Sequence, residues 1–270
     1  MKKRLDVLLV EKNICLTREK AKRNIMAGNV YVNNILCDKP GTMIDEKENI
    51  ILKNEALKYV SRGGLKLEKA IMEFRIDLKN KTCMDIGAST GGFTDCMLQN
   101  GAKKVYSIDV GYGQLDWKLR NDSRVVCMER TNFRYIDSKL FENNIIEFAS
   151  IDVSFISLRI ILPVLVNILP SNNFDIVALI KPQFEAGREE VKKNGVIRDK
   201  EVHKRVINEI IDFAESLELI LNDISFSPIT GPKGNIEFLV HLRNKSELYF
   251  DNMSHIDIDE VVEKAHESLI

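Results

Sequence analysis

Residues 82–99 read TCMDIGASTGGFTDCMLQ, and no other stretch constrains the fold of this chain more tightly. A short apolar run passes into Gly87, Ala88, Ser89, Thr90, Gly91 and Gly92 and then, from Phe93, into a helical pattern. A strand, a turn of small residues and a helix in direct succession form the first half of an α/β crossover unit. Glycines at such a turn let a ligand approach the backbone closely.

The rest of the chain repeats this alternation. After a helix LKLEKAIMEF, the runs TCMDI, KVYSIDV, RVVCME, FASIDV and DIVALI read as strands with helical segments between them. A long helix near residues 200–217 precedes two further strands, ELILNDISF and NIEFLVHLR, joined by SPITGPKGN. The pattern predicts a Rossmann-like α/β domain: a mostly parallel sheet, helices on both faces and an antiparallel hairpin at one edge.

The first sixty residues differ. They hold 12 lysines and arginines against eight acids, whereas the remainder holds 27 against 32. Two helices, RLDVLLVEKN and REKAKRNIMAG, and the short strands VYV, ILC and NIILK predict a small α+β module. Thr17 reads as the N-cap of the second helix, Gly28 as its stop, and Asn33-Asn34 as a tight hairpin. Lys2, Lys3, Arg4, Arg18, Lys22, Arg23 and Lys39 are the candidate phosphate contacts of a polyanion-binding surface. A linker in KNEALKYVSRGG would divide the chain into residues 1–60 and 61–270.

Composition narrows the class. At 44% hydrophobic and 29% charged residues the chain suits a water-soluble protein with a real core. Five scattered cysteines, none in a Cys-x-x-Cys pair, predict neither a disulfide framework nor a metal site, and favour a reducing, cytoplasmic setting. The longest apolar run, ISLRIILPVLVNILP, is interrupted by Arg159, Pro163 and Asn167 and falls short of the roughly 20 residues that span a bilayer. No membrane partner is expected.

The glycine spacing matches neither the dinucleotide fingerprint nor a P-loop, and Asp85 would repel a pyrophosphate. Asp109, at the end of the next strand, is placed to accept hydrogen bonds from ribose hydroxyls, with Val110 beside it. A ligand with a ribose and a positive group, but no phosphate chain, is implied. S-adenosylmethionine fits, its ammonium meeting Asp85 and its ribose Asp109. Three further charges, Asp152, Lys181 and Glu237, lie where apolar runs end, and Lys66 opens the first helix of this domain. Buried charges are costly alone, so these four are expected to pair with one another in a site.

VSRGGLKL, DIGASTGGFTD, DVGYGQLDWKLRNDSRV, ERTNFR, DVSFISL, LIKPQFEAG and GPKGNIEFL together resemble the TlyA family of ribosomal RNA methyltransferases, often labelled hemolysins. The resemblance extends over essentially the whole chain. It implies an FtsJ-like methyltransferase domain, a front domain similar to the RNA-binding fold of ribosomal protein S-four, and a Lys-Asp-Lys-Glu tetrad at Lys66, Asp152, Lys181 and Glu237. It also implies 2′-O-methylation of cytidines in 23S and, in some members, 16S RNA. A lysine can take the proton of a ribose hydroxyl if burial and a neighbouring cation lower its pKa, and Lys181 beside Lys66 is the candidate. The rival readings are methylation of another atom, a membrane-lytic protein, and an RNA-binding protein with an inactive methyltransferase domain.

Overall fold

The structure is a computed structural model that describes residues 2–33, 35–52, 58–141, 145–171, 173–187, 189–191, 195–231, 233–244 and 256–269. The chain divides into two compact units, Met1–Arg62 and Gly63–Ile270. Part of the expected linker (53–57), Asn34 of the expected hairpin turn and Pro232 lie outside the described residues.

The first unit runs β1 (Lys2–Arg4), α1 (Leu5–Glu11), α2 (Arg18–Met26), β2 (Val30–Val32), β3 (Ile35–Leu36), β4 (Met43–Asp45) and β5 (Ile50–Leu52). Strand β2 lies between β3 and β5, and β1 pairs antiparallel with β4. Leu5, Leu9, Ala21, Ile25 and Val30 form its core, as the helical spacing of the leucines requires. The Thr17 side chain accepts a hydrogen bond from the Lys20 backbone N–H at 3.1 Å and so caps α2. Gly28, just past the helix end, has the left-handed φ of +76° that such a stop needs.

The second unit begins with α3 (Gly63–Glu73) and continues through β6 (Thr82–Ile86), α4 (Gly92–Gln99), β7 (Lys104–Ile108), α5 (Trp117–Arg120), β8 (Val125–Met128), β9 (Phe148–Ile151) and α6 (Leu158–Val166). There follow β10 (Asp175–Ile180), α7 (Pro182–Glu185), α8 (Lys200–Glu215), β11 (Leu219–Phe226), β12 (Phe238–Asn244) and α9 (Ile258–Leu269). The seven strands order as β11-β12-β10-β9-β6-β7-β8. Neighbours from β10 through β8 are parallel, and β12 runs antiparallel to both β10 and β11. β6 and β9, which sit side by side near the centre, are buried along almost their whole length, which is why both read as mostly apolar, with Thr82, Asp85 and Ser150 the exceptions. On α8, Val206, Ile207, Ile210 and Ala214 turn one stripe inward, and Asp199 caps the helix by accepting from Glu201 N–H. Among the described residues no helix is long and apolar enough to cross a membrane. The apolar run near residue 160 is α6, with Pro163 inside it.

Candidate active site

Four charged side chains meet beyond the ends of the central strands. Lys66 extends from the first turn of α3, Asp152 follows β9, Lys181 follows β10, and Glu237 immediately precedes β12. The ammonium of Lys66 donates to Glu237 at 2.6 Å and to Asp152 at 3.2 Å. Lys181 forms an ion pair with the other oxygen of Asp152, and donates to the Ser154 hydroxyl at 3.2 Å. Lys66, Lys181 and Glu237 are all buried. Burial alone would pull Lys66 down, but the carboxylates of Asp152 and Glu237 outweigh it and raise its pKa above the ordinary lysine value. For Asp152 burial works upward, and the two ammonium groups overcome it, lowering the carboxyl. Two cations and two anions share one largely buried cluster, so each charge has a partner.

The glycine turn adjoins this cluster. Gly87 has φ +89°, and a Cβ there would stand 2.5 Å from the carbonyl oxygen of Asp152. Only a residue without a side chain lets the β6 and β9 ends approach so closely. Gly231 does the same for Glu237, whose Oε1 would lie 2.7 Å from a Cβ. Asp109 sits half-buried at the end of β7, where its two oxygens accept from the backbone N–H groups of Ser89 and Gly111, each at 2.7 Å. Each oxygen keeps a further lone pair, so ribose hydroxyls can still be accepted there. The left-handed turn at Gly87 and Ser89, with Asp109 beside it, therefore fits a ribose-bearing ligand.

Two of the expected cofactor-binding residues also have packing roles. Asp85 was expected to meet a ligand ammonium, but its side chain has no exposure. It accepts from the Thr94 backbone N–H (2.9 Å) and hydroxyl (2.6 Å), and its burial raises the carboxyl to about 7. Asp85 thus fastens the start of α4 to the sheet. Gly91 was expected to clear space for the ligand, yet a Cβ on it would collide with Leu119 and Leu115, at 2.3 and 2.8 Å. Its φ of +92° serves packing. Ala88, Gly92 and Phe93 are buried as well, whereas Thr90 is half-buried and Ser89 and Val110 are exposed.

A cleft of about 840 Å³ opens beside the cluster, lined by Val110, Arg134, Ser154, Phe155, Gln183 and Phe184 among others. Phe155 is 91% exposed and holds a φ of +65°, a strained backbone for an aromatic residue. Its ring lies 5.0 Å from that of Phe184. Sequence reasoning did not single out Ser154, Phe155, Phe184 or Arg134. Their signal was membership of the quoted stretches DVSFISL, LIKPQFEAG and ERTNFR, which gave none of them a role of its own.

Of the basic candidates in the first unit, Lys2, Arg23 and Lys39 are exposed and Lys22 is half-buried. Lys3 is paired with Glu11 and Glu46. Arg4 and Arg18 both bind Asp6.

Comparison with known proteins follows this division. Residues 59–244 match the FtsJ-like methyltransferase family, and residues 3–50 match the S4 domain. The 16S/23S rRNA (cytidine-2′-O)-methyltransferase TlyA of Mycobacterium tuberculosis is 38% identical over 245 residues, covering 90% of this chain and 91% of that protein. The chain belongs to the TlyA family. A Bacillus subtilis protein, YqxC, whose name proposes an rRNA methyltransferase, is 56% identical over 269 residues, 99% of this chain and 95% of that one. A solved structure from Streptococcus thermophilus, whose name proposes a hemolysin, superposes with a TM-score of 0.77 at 50% identity and covers 99% of this chain and 96% of that one. Within this TlyA chain no group of three or more histidine, cysteine or carboxylate side chains suited to a metal ion occurs among the described residues.

Proposed function

We propose that this chain transfers a methyl group from S-adenosylmethionine to the ribose 2′-hydroxyl of a cytidine in ribosomal RNA, and that its first unit grips the RNA. The observation that carries the reading is the convergence of Lys66, Asp152, Lys181 and Glu237 at one end of the sheet, next to the glycine turn and an open cleft. Membership of an FtsJ-like family, and a relative named for cytidine-2′-O-methylation, support it. S-adenosylmethionine would supply a methyl group on a positively charged sulfur, open to in-line attack by an oxygen. Gly87, Ser89, Asp109 and Val110 are the residues that would hold it.

The work of this chain is to make a ribose hydroxyl nucleophilic and to aim it. Lys181 is the proposed base: once its ammonium has given a proton to solvent, the neutral Nζ takes the 2′-hydroxyl proton as the oxygen attacks. Asp152 and the Ser154 hydroxyl anchor that nitrogen from two directions and so fix where its remaining hydrogen-bonding position points. Lys66, held cationic by Glu237 and Asp152, draws part of the Asp152 charge away from Lys181. Alignment of the reacting atoms in such a fixed frame accounts for much of the acceleration.

Incubation with methyl-labelled S-adenosylmethionine and separated ribosomal subunits, followed by nuclease digestion, tests the reading. Label in 2′-O-methylcytidine is expected. Label on a base nitrogen, on protein or nowhere overturns it.

A further inference from the structure

The first unit buries one acid completely. Asp6 has no exposed surface, although it belongs to the small, basic part of the chain. Both of its oxygens face arginines. Arg4 donates Nε to one oxygen at 2.9 Å and Nη2 to the other at 3.1 Å, and Arg18 donates Nε to that second oxygen at 2.9 Å. The two guanidinium groups overcome the effect of burial and bring the carboxyl down to about 2. The arginines themselves remain about half exposed, at 46% and 53% of their side-chain surface.

Local structure fixes this triad. Arg4 ends β1 and stands at the N-cap position of α1, with Asp6 in the first turn of that helix. Arg18 is the first residue of α2, directly after the capping Thr17. The backbone N–H of Asp6 is bound to Pro40 O at 3.1 Å, which locks the acid from the other side. Each guanidinium has five N–H groups in a planar fork. Three of the ten N–H groups go to Asp6, and both arginine side chains keep about half of their surface exposed.

We propose that Asp6 is a positioning residue for RNA binding: it holds Arg4 and Arg18 side by side as one preformed clamp for a backbone phosphodiester. This rests on the reading that the first unit grips RNA. Arginine forks match phosphate oxygens in pairs. A free arginine must give up rotamer freedom to make that match, and a side chain already fixed has less to lose on binding. A buried carboxylate shared by two guanidiniums fixes both and leaves the cluster with a net positive charge to offer.

The proposal makes a prediction opposite in sign to simple electrostatics. Asp6→Asn removes a negative charge from a polyanion-binding surface, so a purely charge-driven grip would tighten. Preorganisation requires it to weaken. Affinity of the full chain for large ribosomal subunits should be measured across a salt series for the parent, Asp6→Asn, Asp6→Glu and the double variant Arg4→Lys/Arg18→Lys, with thermal melting of each. Asp6→Asn is expected to lose roughly tenfold or more in affinity with its fold retained. The double variant keeps every charge but cannot fork, and is expected to lose as much. The Asp6→Asn loss should flatten the slope of log affinity against log salt by about one, as for one phosphate contact given up, whereas the double variant, with every charge kept, should hold the parent slope. Asp6→Glu is expected to recover part of the affinity, which a purely structural defect would not. Unchanged or tighter binding by Asp6→Asn overturns the proposal. If Asp6→Asn fails to fold, the double variant decides, and parental affinity in it is equally fatal. A parent chain with no salt-dependent affinity would instead overturn the RNA-grip reading itself.

Discussion

Lys66 and Glu237, 171 residues apart in the chain, are joined by a 2.6 Å hydrogen bond between buried charges. The contact ties the first helix of the second unit to the strand that turns its sheet edge antiparallel. Removing one partner leaves the other without full compensation, because a hydrogen bond between charged groups is worth about 1.5–3 kcal/mol. Glu237→Gln and Lys66→Met should each lower stability by about that much, and the double variant should lose less than the sum. The single tryptophan, Trp117, lies in this unit, so a urea titration followed by its fluorescence measures the coupling.

Replacement of Lys181 addresses the chemical step. As the proposed base, it should account for roughly 10²–10⁴ in the rate of methyl transfer. Lys181→Ala and Lys181→Arg should fall by similar factors, since an arginine keeps the charge yet holds its proton. Single-turnover methylation of ribosomal subunits is the measurement. An arginine variant near the parent rate would make Lys181 a positioning residue.

Asp109→Ala separates cofactor binding from catalysis. Loss of its ribose hydrogen bonds should weaken S-adenosylmethionine by roughly 1.5–3 kcal/mol, about tenfold to a hundredfold. The N–H groups of Ser89 and Gly111 also lose their acceptor, so Asp109→Asn, which keeps one carboxamide oxygen, should fall between. Isothermal calorimetry reads both, and unchanged affinity in the alanine variant would remove Asp109 from the binding set.

His203, buried on α8 with its Nδ1 3.1 Å from Nε2 of His266, sets an acid limit on stability. Burial, and then the neighbouring histidine, lower its pKa from the ordinary 6.5 to about 4. Below 6.5 the unfolded chain binds a proton that the folded chain refuses, so stability is full above that pH and is lost as pH falls towards 4. The loss is about 1.4 kcal/mol for each unit of displaced pKa. Urea midpoints at pH 7.5 and 4.5 should therefore differ more for the parent than for His203→Leu. Equal differences would show that other groups govern the acid limit.

How much of this was legible in the sequence depends on the residue. The sheet was readable because its central strands are buried on both faces and show as mostly apolar runs. Asp152 and Lys181 stood out as charges ending such runs. Glu237 was expected inside a strand but lies one residue before β12, because apolar Ile236 and Phe238 on either side of it hide where the strand starts. Strand β1, LysLysArg, was invisible because three charged residues have no alternation to read. The packing roles of Asp85 and Gly91 were not readable for another reason. Which neighbour a strand residue faces, and which distant leucines press on a turn, depend on packing between segments far apart in sequence. Asp6 was passed over because an acid in a basic segment reads as surface until its burial is seen.

The contact of Gly87 with the Asp152 backbone has a mechanical meaning. No side chain acts as a spacer between the turn proposed to hold the cofactor and the residue that orients both lysines. A shift of a few tenths of an ångström in one must be transmitted to the other, because there is no compressible layer to absorb it. Donor and acceptor of the methyl group would thus be registered on a single hard stop, and a change of residue at position 87 would misalign both halves of the reaction together.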